Sequence, residues 1–129
     1  MKNVKPTESE LEILRVLWDK REATVREVHE VLSVFKDSGY TTTLKQMQLM
    51  TEKGLVKRSE RFRSHVYESA VPKEELRSQI AGDLMRRVFG GSASNLVMGA
   101  LEAQPASAEE LAQIQKMIKE YGKSKRGSR

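Results

Sequence analysis

The sequence predicts a mainly α-helical chain with one small β-hairpin, in which an N-terminal winged helix-turn-helix is followed by three more helices. Three observations predict it. Capping boxes, Ser or Thr with Glu three residues later, mark helix starts at Thr7 with Glu10, Thr24 with Glu27 and Ser107 with Glu110. Helical apolar spacing then gives way to two short β-like runs, residues 55–59 and 65–71. After Pro72 the spacing turns helical again and stays so.

The first helix runs from its Thr7 cap to about Asp19, with Leu11, Leu14, Leu17 and Trp18 on one face and Trp18 as its core anchor. The second puts Val25, Val28, Val31, Leu32 and Phe35 on one side, and Asp37-Ser38-Gly39 breaks it. A third starts near Thr41 or Thr42. Its inward stripe is Leu44, Met47 and Met50 or Thr51, and Gly54 suits the left-handed residue that ends it. Between the β-like runs lies Glu60-Arg61-Phe62-Arg63-Ser64, a polar and basic turn.

In the second part, Leu76, Ile80, Leu84 and Val88 recur every four residues up to Gly90-Gly91. Leu96, Val97, Ala100 and Leu101 follow on another helix, which Gln104-Pro105 stops. Leu111, Ile114, Ile118 and Tyr121 are spaced close to an a/d seam. The expected organisation is a winged-helix domain over 1–72, a helical region over 73–121 and a disordered basic tail over 122–129.

Three amphipathic helices in about fifty residues have little to bury their stripes against. They either fold back on the winged helix or pair with the same region of a second chain. The second reading assigns Leu76, Ile80, Leu84, Leu96, Leu101, Leu111, Ile114 and Ile118 to a homodimer interface. A two-fold dimer doubles the contacts of a DNA reader and matches a palindromic site.

Composition narrows the function. Among 129 residues 38% are apolar and 5% aromatic, enough for a modest core. Without cysteine, disulfides and thiolate metal sites are excluded, and no metal or cofactor is expected. No apolar run is long enough for membrane insertion, and Met1-Lys2-Asn3-Val4-Lys5-Pro6 lacks the apolar core of a secretory signal. A cytoplasmic protein is expected.

The net charge of +5 points to an anionic partner, and its distribution says more. Residues 1–40 carry −1, 41–63 carry +4, 64–115 carry −3 and 116–129 carry +5. The internal basic segment covers the third helix and the hairpin turn.

On that helix the outward positions are Thr41, Thr42, Lys45, Gln46 and Leu49. Hydroxyls and helix N-terminal N–H groups can hold a phosphate. Lys45 can reach guanine acceptors or phosphate, and Gln46 can read adenine. Arg61 and Arg63 sit on the turn, which in a winged helix lies against the DNA backbone or in the minor groove. Lys53, Lys57 and Arg58 are backbone contacts or solvated. Double-stranded DNA is thus the expected partner.

Enzyme chemistry finds no support. His29 and His65 have no carboxylate or nucleophile partner in any motif. Glu74-Glu75 and Glu109-Glu110 fall in first helical turns, where acids favour the helix dipole. The six methionines read as core filler. A winged helix used for protein contact and a ligand-sensing regulator of the MarR sort are the open alternatives.

The residues Thr7-Glu8-Ser9-Glu10-Leu11-Glu12-Ile13-Leu14, Leu17-Trp18, Tyr40-Thr41-Thr42, Lys53-Gly54-Leu55-Val56 and Tyr67, in this order and spacing, resemble the penicillinase-repressor family (BlaI/MecI/CopY type) of winged-helix regulators. The helical region to about residue 121 is similar in length and pattern. The resemblance implies a homodimeric repressor on a palindromic operator. For β-lactam-responsive members it also implies derepression by cleavage under a membrane sensor metalloprotease. This chain departs from the family pattern at Leu49, where an Arg is usual, and at Phe62, where Gly is frequent. Gly99-Ala100 aligns with the Asn-Phe pair that is cut in those members. The lack of cysteine excludes the copper-thiolate branch.

Overall fold

A computed structural model of the chain describes residues 5–61 and 63–127. The N-terminal residues 1–4, Phe62 of the basic turn and residues 128–129 of the basic tail lie outside the described residues. The expected fold class is observed: helices α1 (Glu8–Lys20), α2 (Val25–Leu32) and α3 (Tyr40–Lys53), strands β1 (Val56–Arg61) and β2 (Ser64–Ser69), then α4 (Lys73–Val88), α5 (Ala93–Ala103) and α6 (Ala108–Gly127). The chain divides into two compact units, Met1–Ile80 and Ala81–Arg129.

In the first unit the capping boxes act as the sequence says. The Thr7 hydroxyl accepts from the Glu10 N–H at 3.2 Å, and the Glu10 carboxylate accepts from the Thr7 N–H at 2.9 Å. Thr24 and Glu27 repeat this on α2 at 3.1 and 2.8 Å. Between these helices Ala23 pairs with Tyr67, each donating its N–H to the other's carbonyl. That bridge adds a one-residue stub beside β2 and ties the hairpin to the helices.

The hairpin is antiparallel, from Val56 opposite Ser69 at its base to Arg61 opposite Ser64 at its tip. Only the base is buried, through Val56, Val66 and Tyr67. Ile13, Leu14 and Leu17 of α1, Val28 of α2 and Met47 and Met50 of α3 complete the core, with exposures of 0–1%. Phe35, expected on the inner side of α2, lies beyond its last residue and is exposed.

Leu76 requires a correction. It was expected on the dimer face, yet it is 1% exposed and belongs to the core of the first unit. Periodicity marks an apolar stripe but not the surface that the stripe covers. The first unit therefore extends into α4, to Ile80.

In the second unit Gly90 and Gly91 have φ of +58° and +80°, a conformation that costs glycine little and ends α4 after Val88. The Gly91 N–H donates back to the Met85 carbonyl at 2.9 Å. Ser92 and Ser107 accept from the N–H groups of Asn95 and Glu110, each at 3.1 Å, and start α5 and α6. Gly99 faces the Phe89 ring so closely that a Cβ there would lie 2.9 Å from it.

Leu84, Leu111 and Ile118 are exposed, and Ile80, at the end of the first unit, is marginally so; Leu96, Leu101 and Ile114 are half-buried. The tail is the second correction. It was expected to be disordered from Gly122, but α6 continues to Gly127. One Gly costs a helix interior about 1 kcal/mol, and Lys123 and Lys125 near the C-terminus complement the helix dipole.

Candidate nucleic-acid interface

The geometry of α3 follows from what it buries. Thr43, Met47 and Met50 are inside, and Leu44 and Thr51 are half-buried beside them. The expected inward stripe of Leu44, Met47 and Met50 or Thr51 omitted Thr43. The Thr43 hydroxyl bonds the Gly39 carbonyl at 3.4 Å, so a threonine is accommodated where a hydrophobe would be anticipated. The opposite face carries Thr41, Thr42, Lys45 and Leu49, all exposed. Gln46 lies at its edge and is half-buried.

No side chain caps the start of α3, unlike the starts of α1 and α2. Its first N–H groups therefore have no capping side chain to accept from them, and Thr41 and Thr42 are exposed in the same turn. At the other end Gly54 is left-handed at φ +83° and turns the chain into β1.

The last turn of α3 is anchored by an ion pair that the sequence did not reveal. Lys53 donates to Glu10 Oε2 at 2.6 Å, while Oε1 of the same carboxylate caps α1. The Glu10 side chain is 5% exposed and that of Lys53 51%. Burial alone would raise the Glu10 pKa; the hydrogen bonds from Lys53 and Thr7 and the Lys53 charge outweigh it and hold the carboxyl below its ordinary value. Lys53, a candidate backbone contact from sequence, thus has a partner within the chain.

At the hairpin tip Arg61 is paired with Glu22, from the loop after α1. Arg63 is exposed and left-handed, at φ +65°. Lys57 and Arg58 are exposed along β1.

Sequence reasoning missed Arg26 and Tyr40. The Arg26 guanidinium sits 5.7 Å above the Tyr40 ring, and His29 meets the same ring edge-on at 5.9 Å. A cleft of about 420 Å³ joins this pair to Ser64 and His65 at the start of β2. A signal was available. Arg26 occupies the first turn of α2, where a cation opposes the helix dipole and stability alone does not favour it. Arg26 on α2 thus lines one cleft with the first residues of α3 and β2.

Among the described residues, no helix is long and apolar enough to cross a membrane, and no cluster of three or more His, Asp or Glu side chains could hold a metal ion.

The family model for the penicillinase repressor matches residues 6–120. The chain is 20% identical to the methicillin resistance regulatory protein MecI of Staphylococcus aureus (strain N315) over 110 residues, which cover 85% of this chain and 89% of that protein. It is 21% identical to the penicillinase repressor of Bacillus licheniformis over 120 residues, 93% of this chain and 94% of the other. Against the transcriptional regulator BlaI of Mycobacterium tuberculosis (strain ATCC 25618 / H37Rv) identity reaches 39% over 61 residues, 46% of this chain and 44% of that one. The chain therefore belongs to the penicillinase repressor family of transcriptional regulators.

Proposed function

We propose that this chain is a sequence-specific DNA-binding repressor that acts as a homodimer on a palindromic operator. The observation that carries the reading is the two-sidedness of α3. It buries Thr43, Met47 and Met50 and presents Thr41, Thr42 and Lys45 on the opposite face. Such a helix enters the major groove with its N-terminal residues toward the base edges. Arg61 and Arg63 on the hairpin tip meet the flanking backbone or minor groove, and Arg61 exchanges Glu22 for phosphate. The exposed apolar faces of α5 and α6 support pairing with a second copy.

The test is duplex binding across a salt series. Replacing Lys45, Arg61 and Arg63 together by Ala should weaken binding and lower the salt slope by about one for each phosphate that is no longer neutralised. Affinity and slope equal to those of the parent protein would reject the DNA reading.

Induction by proteolysis under a membrane sensor metalloprotease accords with the family. The Gly99–Ala100 bond lies inside α5, and cleavage there requires that helix to unwind first. Mass spectrometry of the chain from β-lactam-treated cells tests the route: intact protein during active derepression excludes it.

A further inference from the structure

The outward face of α3 is not uniformly polar. From position 41 to 53 its exposed residues are Thr41, Thr42, Lys45, Gln48, Leu49, Glu52 and Lys53. Leu49 is the one apolar side chain among them, 45% exposed. It follows Lys45 by four residues and Thr42 by seven, so the three share one row on the helix. A lone leucine elsewhere on a surface needs no explanation. In this row it does, because the row would face the base edges if α3 lies in the major groove.

We propose that Leu49 is a specificity-determining residue that reads the 5-methyl group of a thymine. The proposal rests on the DNA-binding reading above. A leucine side chain neither donates nor accepts a hydrogen bond, so it cannot select guanine, adenine or cytosine by their polar edges, and it offers phosphate nothing. The thymine methyl is the apolar feature that the major groove displays. Contact with it covers the leucine and the methyl together. At a cytosine the leucine would instead cover an amino group and leave it unpaired. Lys45 and Leu49 are separated by about 6 Å of helix rise, roughly two base steps, so the thymine lies close to the base or phosphate that Lys45 holds.

The experiment starts from an operator that the full-length chain selects from a random duplex pool. Each thymine is then replaced by deoxyuridine, which keeps base pairing and removes only the methyl. At one symmetry-related thymine position the parent protein should lose about fourfold in affinity per methyl, while Leu49→Ala binds both operators alike. Leu49 is exposed and Ala favours helix, so the variant should melt as the parent does. Two results overturn the proposal: no thymine position at which the parent responds, or equal losses in the parent and Leu49→Ala. If the parent selects no duplex at all, the DNA-binding reading falls first and takes this one with it.

Discussion

The two units use apolar residues in opposite ways. In Met1–Ile80, α1 alone buries Ile13, Leu14, Val16 and Leu17. In Ala81–Arg129, no described residue of α5 or α6 is buried, and Ile118 and Tyr121 are 60% and 65% exposed. Yet α1 and α6 both carry a stripe at helical spacing. Amphipathic spacing therefore says that a face is to be covered, and the folded chain says whether its own residues do the covering. The first unit covers the stripe of α1 with its own residues. The second leaves its faces open, which is the physical basis for proposing a partner copy.

Mutation can break this contrast. The largest stability effect belongs to the closed core. Leu17→Ala should cost about 2–5 kcal/mol and lower Tm by about 10 °C or more in a thermal melt. A loss under 1 kcal/mol, far below the ~2–5 kcal/mol that emptying a filled core site costs, would mean that Leu17 is not closely packed.

Leu111→Asp with Ile118→Asp should leave the first unit folded, shift the sedimentation mass to one chain and weaken operator binding roughly a hundredfold, since two linked half-sites become independent. An unchanged mass would remove these helices from the dimer interface.

The smallest expected effect concerns the Glu10 pair. Glu10→Gln should cost about 1–3 kcal/mol, toward the low end because Lys53 is half exposed. Since the Glu10 pKa is lowered on folding, its contribution is complete above the unfolded value and disappears as pH falls through the folded value. The stability curves of parent and variant should therefore converge in acid. A constant gap across that range would disconnect the pair from stability.

How much of this was legible in the sequence depended on whether the signal was local. Thr7, Thr24 and Gly54 act within a few residues of their own position, and each did what its type implies. The outward face of α3 was legible for the same reason, since one helical period places Thr41, Thr42 and Lys45 together. Pairings between residues distant along the chain were not. Nothing near Lys53 points to Glu10, and nothing near Arg61 points to Glu22. Leu76 continues the stripe of Ile80 and Leu84, although it alone of the three is packed in the core of the first unit. Gly122 and Ser124 resemble helix breakers, but a helix already formed through Tyr121 absorbs their cost.

The divided carboxylate of Glu10 has a consequence for how α3 is aimed. One oxygen fixes the first turn of α1, and the other holds the last turn of α3. The first turn of α1 and the last turn of α3 thus share one side chain, so a displacement of either is felt by the other. On the proposed DNA reading, the angle at which Lys45 and Leu49 would meet a base pair depends partly on Glu10, a residue that faces no base. Under that reading, substitutions in the first turn of α1 would retune which operator is preferred without altering any side chain proposed to touch it.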